Sequence, residues 1–222
     1  MNDAPTRNDG PSGYEALLID WGGVLTTNLF ASFHAYCMRA GVDFEALGER
    51  FRRDPEFRTL LVALETGELD EERFEPRLAE LLDVPAAGLI DDLMAGVGPD
   101  EAMIGAVRSA HDAGIRTALV SNSWGVHRYP HALFAEIFDG VVISGEVGMR
   151  KPAPAMYELG AERAGVTAER CVFVDDLVHN LAPARELGMA AVHHTDAAST
   201  IPELGRLFGL ALDALPEGSG GR

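Results

Sequence analysis

The chain has 222 residues, 47% of them apolar, and carries a net charge of −17. That size and apolar content fit one large domain, or one domain with an insertion, built on a sizeable core. The charge argues against nucleic acid or an anionic membrane as partner, no apolar run reaches transmembrane length, and Cys37 and Cys171 alone make no disulfide framework and fit a reducing cytoplasm.

Residues 1–13 are polar, rich in Asn, Asp, Pro and Gly, and read as a disordered tail rather than a signal peptide or anchor. A first strand is predicted over 15–20. From 29 to 95 the pattern turns helical, with segments at 29–40, 43–53, 55–65, 70–82 and 86–95 and punctuation at Gly41, Gly67 and Gly96-Val97-Gly98-Pro99. After that, helices alternate with short apolar runs. Strands are predicted at 115–120, 140–143, 171–174 and 190–193, and helices at 100–113, 130–137, 153–164, 178–187 and 200–209. Residues 212–222 read as a flexible Gly-rich tail. Strands alternating with helices imply a parallel sheet covered on both faces. The expected organisation is an α/β core over 14–28 and 96–211, with residues 29–95 inserted as an all-helical subdomain.

Four stretches end apolar runs and carry chemistry. Leu17-Leu18-Ile19-Asp20-Trp21-Gly22-Gly23 sets a carboxylate at a strand end, where open α/β sheets bind ligands. Ser121 and Asn122 follow the second strand and offer a hydroxyl and an N–H. Lys151 follows the loop Ser144–Arg150 and precedes Pro152 and Pro154, which open a helix. It is the one lysine beside 17 arginines, so it marks a place where a compact ammonium and a planar guanidinium are not interchangeable. Asp175 and Asp176 end a strand expected to be buried, and two like charges there call for a cation such as Mg²⁺. In a parallel sheet all four strand ends share one rim. Such a constellation suits phosphoryl transfer, with Asp20 as nucleophile and Ser121 and Lys151 holding phosphate oxygens.

These four stretches resemble, in order, the motifs of haloacid dehalogenase-superfamily phosphatases. The signatures are Asp20-Trp21-Gly22-Gly23-Val24-Leu25, Val120-Ser121-Asn122, Gly148-Met149-Arg150-Lys151-Pro152 and Asp175-Asp176 with Asn180, Ala184 and Gly188-Met189. The second and fourth are most similar to the phosphatase domain at the N-terminus of soluble epoxide hydrolases. The resemblance implies a Rossmann-like core with a helical cap inserted after the first strand. It assigns Mg²⁺ to Asp20, the backbone carbonyl of Gly22 and Asp176, with Asp175 in support. Gly22, Gly23, Ser121, Asn122 and Trp124 would border the substrate, with Trp21 and His34 beside them. His193 and His194 have no partner spacing for zinc and read as structural.

One position departs from the pattern. Most phosphatases of this superfamily place a general acid–base Asp two residues after the nucleophile, and here that residue is Gly22. Some sugar-phosphate phosphatases of the superfamily also have Gly there. The resulting expectation is a cytoplasmic, Mg²⁺-dependent phosphomonoesterase acting on a small phosphorylated metabolite, a sugar 1-phosphate among the options, as monomer or homodimer. The alternatives are a 2-haloacid dehalogenase, which also lacks that Asp but does not carry the acidic pair, and a non-catalytic binding module.

Overall fold

The computed structural model describes residues 13–212, so the two expected tails, apart from Gly13 and Leu212, lie outside the described residues. Five parallel strands form one sheet in the order β3-β2-β1-β4-β5: β1 (Ala16–Ile19), β2 (Arg116–Ser121), β3 (Gly140–Ile143), β4 (Cys171–Asp175) and β5 (Ala190–His193). β1 is central, paired with β2 through Ile19 opposite Leu119 and with β4 through Ile19 opposite Val174. The strand order reverses between β1 and β4, which opens a crevice at their carboxyl ends.

The strands are almost uninterruptedly apolar because both faces are covered. Leu17, Ile19, Leu119, Val172 and Val174 face one layer, with Met103, Phe134 and Phe208. Leu18, Ala118, Val120 and Phe173 face the other, with Met156, Tyr157 and Leu181. The covering helices are α6 (Glu101–Asp112), α7 (His131–Ile137), α9 (Pro154–Ala164), α10 (Val178–Glu186) and α11 (Ala197–Phe208).

Between β1 and α6 run five helices: α1 (Leu29–Ala40), α2 (Phe44–Arg53), α3 (Pro55–Glu65), α4 (Glu71–Leu82) and α5 (Leu89–Met94). Their starts are written locally. Asn28, Asp43, Asp54 and Asp70 each accept hydrogen bonds from first-turn N–H groups of the helix that follows. Phe33, Tyr36, Phe57, Leu60, Phe74, Leu78 and Ile90 close a separate core for this unit. Among the described residues no helix is long and apolar enough to cross a membrane.

One element departs from the sequence reading. Ser144–Val147, expected as loop, forms a single helical turn, α8, closed by Gly148 at φ 68°. Its anchor is tertiary: Ser144 Oγ accepts from Ser123 N and donates to the carbonyl of Glu65 in α3.

Candidate active site

The pairing of β1 with β4 sets the site. Asp20 follows Ile19, its N–H donates to Val174 O at 3.0 Å, and the next residue of β4 is Asp175. Two carboxylates therefore leave adjacent central strands side by side. Between them lies Lys151, whose Nζ is 2.9 Å from Asp20 Oδ2 and 2.7 Å from Asp175 Oδ2. Lys151 and Asp175 are fully buried and Asp20 nearly so. Asp176 completes the group: one oxygen each of Asp20, Asp175 and Asp176 lies within 4.8 Å of the others.

Each charge has a support. Asp175 accepts from Leu177 N at 2.8 Å and from Asn180 Nδ2 at 3.0 and 3.1 Å on its two oxygens. Asp20 Oδ1 accepts from Trp21 N at 2.7 Å. Asn122 grips the Lys151 backbone at both ends: its Nδ2 donates to Lys151 O at 3.1 Å and its Oδ1 accepts from Lys151 N at 2.8 Å. Its amide thus positions the lysine, with both polar ends engaged. Ser121 Oγ is 2.9 Å from Tyr129 Oη. Gly23 N donates to Thr26 Oγ1 at 2.9 Å, and a Cβ on Gly23, whose φ is 75°, would lie 2.5 Å from Asp176 Oδ2.

The electrostatics of the cluster follow from its burial. Burial, partly opposed by Lys151 and reinforced by Asp175, pushes the Asp20 carboxyl up to about 7. Burial and Asp175 push Asp176 up to about 6. Burial pulls Lys151 down, but Asp175 and Asp20 outweigh it and hold it above the usual ammonium range. With all three carboxyls ionised, the one ammonium would leave a charge of −2 on this largely buried cluster, which is why two of them hold protons more tightly than usual, and a hard divalent cation with oxygen ligands fits such a group. Asp20, Asp176 and the backbone at Gly22 could hold it. Gly23 fits the same reading, because its missing side chain is what admits the Asp176 carboxylate.

Beside this cluster lies a cavity of about 270 Å³. Gly22, Ser121 and Asn122 lie along it, with Trp21, Leu29, Met94, Val97 and Trp124 as its large apolar side chains and Thr26, Gly125, Arg128 and Tyr129 completing it. Trp21 packs edge-on against Phe134 with ring centroids 5.0 Å apart. Trp124 is seated on Phe33 and Phe74 of the helical unit, at 5.2 and 5.9 Å, so it joins that core to the cavity wall.

His34 is placed elsewhere. It is exposed on α1 and stands edge-on to Phe44 at 5.0 Å, while Phe33, Tyr36 and Cys37 take the buried face of the same helix. It is not among the residues that line the cavity. Sequence reasoning missed Leu29, Met94, Val97, Arg128 and Tyr129, none of which sits in a motif. A Cβ on Gly22 would meet both Leu29 methyls at 3.4 Å, so Leu29 packs directly beside the position two residues after Asp20.

Comparison with known proteins agrees with the fold. The family model of haloacid dehalogenase-like hydrolases matches residues 14–188. The chain is 28% identical over 135 residues to bifunctional epoxide hydrolase 2 of Rattus norvegicus, covering 58% of this chain but only 24% of that protein. It is 26% identical over 151 residues to the sesquiterpene phosphatase astK of Aspergillus oryzae, 65% of this chain and 77% of that one. A haloacid dehalogenase family enzyme of Bacteroides thetaiotaomicron, solved with magnesium and inorganic phosphate, superposes with a TM-score of 0.63 at 21% identity. The match covers 82% of this chain and 94% of that one.

Proposed function

The chain belongs to the haloacid dehalogenase-like hydrolases, and we propose that it is a Mg²⁺-dependent phosphomonoesterase acting on a small phosphorylated metabolite. The observation that carries this reading is Lys151 Nζ bridging Asp20 and Asp175 while Asp176 leaves the cluster short of positive charge. A phosphatase among the relatives supports it, as does the structural neighbour that holds magnesium and phosphate.

Mg²⁺ bound by Asp20, Asp176 and the Gly22 carbonyl would neutralise this cluster and draw in a phosphate dianion. Asp20 then acts as nucleophile. A carboxylate oxygen bonds to phosphorus as the bond from phosphorus to the ester oxygen breaks, giving an aspartyl-phosphate and the departing alkoxide. Water cleaves that acyl phosphate and restores the carboxylate. Lys151 holds Asp20 in place and offers a cation to the phosphoryl oxygens, and Ser121 offers a hydroxyl. Asp175 orients Lys151, and Asn122 fixes the loop that carries it. The helical unit over 29–95 serves as a cap that closes over the leaving group.

The test is phosphate release from p-nitrophenyl phosphate with Mg²⁺, abolished by chelator and by Asp20→Asn. Halide release from a 2-chloro acid without metal would replace the reading with dehalogenation. Tight beryllofluoride binding with no ester hydrolysed would leave a binding module.

A further inference from the structure

The cavity beside Asp20 has an unusual division of labour, and it bears on the substrate of the phosphatase reading, on which this inference rests. The hydroxyl, amide and guanidinium side chains of its wall are already engaged within the protein. Thr26 Oγ1 accepts from Gly23 N and donates to Thr27 O at 3.1 Å. Asn122 uses its carbonyl and its amide nitrogen on the Lys151 backbone. Tyr129 Oη and Ser121 Oγ bond each other. Arg128 is neutralised twice over by residues of the helical unit: Nε is 3.0 Å from Glu71, and Nη2 is 2.6 Å from Glu71 Oε2 and 2.8 Å from Asp91 Oδ1.

What remains free to touch a leaving group is chiefly the apolar surface of Leu29, Met94, Val97 and the two tryptophan rings, with the indole N–H groups and the backbone of Gly22 and Gly125 as the remaining polar points. Leu29 brings that apolar wall up to Gly22, two residues from the nucleophile. The volume of about 270 Å³ admits a phosphoryl group and a carbon skeleton of one or two rings.

We propose that this cavity selects the monophosphate of a compact apolar alcohol or phenol, an aryl phosphate or a short prenyl phosphate, and rejects polyhydroxylated and doubly phosphorylated esters. A sugar would bury hydroxyls opposite methyls, and each hydroxyl left without a partner costs about tenfold or more in affinity. A second phosphate would find in Arg128 a cation already matched by two carboxylates. Sugar 1-phosphates, admitted by the motifs alone, are the class this wall disfavours.

The experiment compares kcat/KM for phenyl phosphate, dimethylallyl phosphate and glucose 1-phosphate with Mg²⁺. Direct binding is read in parallel on Asp20→Asn through tryptophan fluorescence, since Trp21 and Trp124 are the chain's only two tryptophans and both line the cavity. Phenyl phosphate is expected to exceed glucose 1-phosphate by on the order of 10²-fold and to quench the fluorescence. Met94→Gln and Val97→Asn should each cut that ratio several-fold. With both esters ahead of glucose 1-phosphate, a further preference for dimethylallyl over phenyl phosphate identifies a terpenoid source, and parity between the two means that the wall reads apolarity alone. Glucose 1-phosphate equal to or better than phenyl phosphate, or a ratio unmoved by both variants, overturns the inference and leaves the phosphatase reading standing. Fluorescence quenching by phenyl phosphate with no ester hydrolysed by the unaltered chain overturns the phosphatase reading but keeps the apolar site. Neither hydrolysis nor quenching removes both.

Discussion

Replacing Lys151 by Met should test how the buried charges balance. The methionine fills most of the lysine's volume but removes an ammonium 2.9 Å from Asp20 and 2.7 Å from Asp175. Breaking a buried ion pair from one side costs about 3–5 kcal/mol. Asp175 keeps its bonds from Leu177 and Asn180, whereas Asp20 keeps only that from Trp21 N, so Asp20 is the group that escapes by taking a proton. Its folded-state pKa is already raised from 3.8 to about 7. A carboxyl raised on folding binds more protons in the native chain, so its stability contribution falls as pH rises between the unfolded and folded values. Without Lys151 that fall extends above pH 7, at up to about 1.4 kcal/mol per pH unit. Metal-free urea denaturation should therefore show a deficit of about 3 kcal/mol near pH 6 that grows by about 1 kcal/mol or more by pH 8. Added Mg²⁺ should recover part of it. A deficit below about 1 kcal/mol, or one that does not grow with pH, would refute the claim that these three side chains form one buried charge system.

Gly23→Ala should raise the Mg²⁺ concentration needed for thermal stabilisation by about 10–100-fold. Its Cβ lands 2.5 Å from Asp176 Oδ2, and an unchanged titration midpoint would show that Asp176 is not a ligand. Glu65 is buried against Arg150 and pushed up to about 7 by burial, so the native chain holds its proton to higher pH than the unfolded one and stability falls from about pH 4.5 to 7 on its account. Glu65→Gln should flatten that slope in melting temperature, and an unaltered slope would remove Glu65 as its source. Gly22, bordered by Leu29, supplies no carboxyl to protonate the departing oxygen, an aid worth roughly 10²–10⁴-fold. The logarithm of turnover should therefore fall steeply with leaving-group pKa across esters of similar bulk, and a flat plot would reveal a substitute acid.

Much of this molecule is legible in the chain itself. Leu17–Ile19 and Cys171–Val174 are apolar throughout because their strands are buried on both faces, and the acids that end those runs fall at the sheet's carboxyl edge by topology alone. The helices of 29–95 announce themselves by period and by capping aspartates that act within three residues. The same locality hid α8, whose single turn depends on Ser144 reaching Glu65 across 79 residues.

The division at the site follows the same physics. Sequence alone determined which groups carry charge and where each strand delivers it, since strand period, turn chemistry and like-charge repulsion operate between near neighbours. Tertiary structure alone decided that Leu29 fills the space beside Gly22, that Tyr129 engages Ser121, that Glu71 and Asp91 neutralise Arg128 over 57 and 37 residues, and that His34 packs on Phe44 outside the cavity lining. These contacts depend on how the helical unit is seated on the sheet. That seating is the sum of many apolar contacts between distant segments, and no single stretch of sequence encodes such a sum.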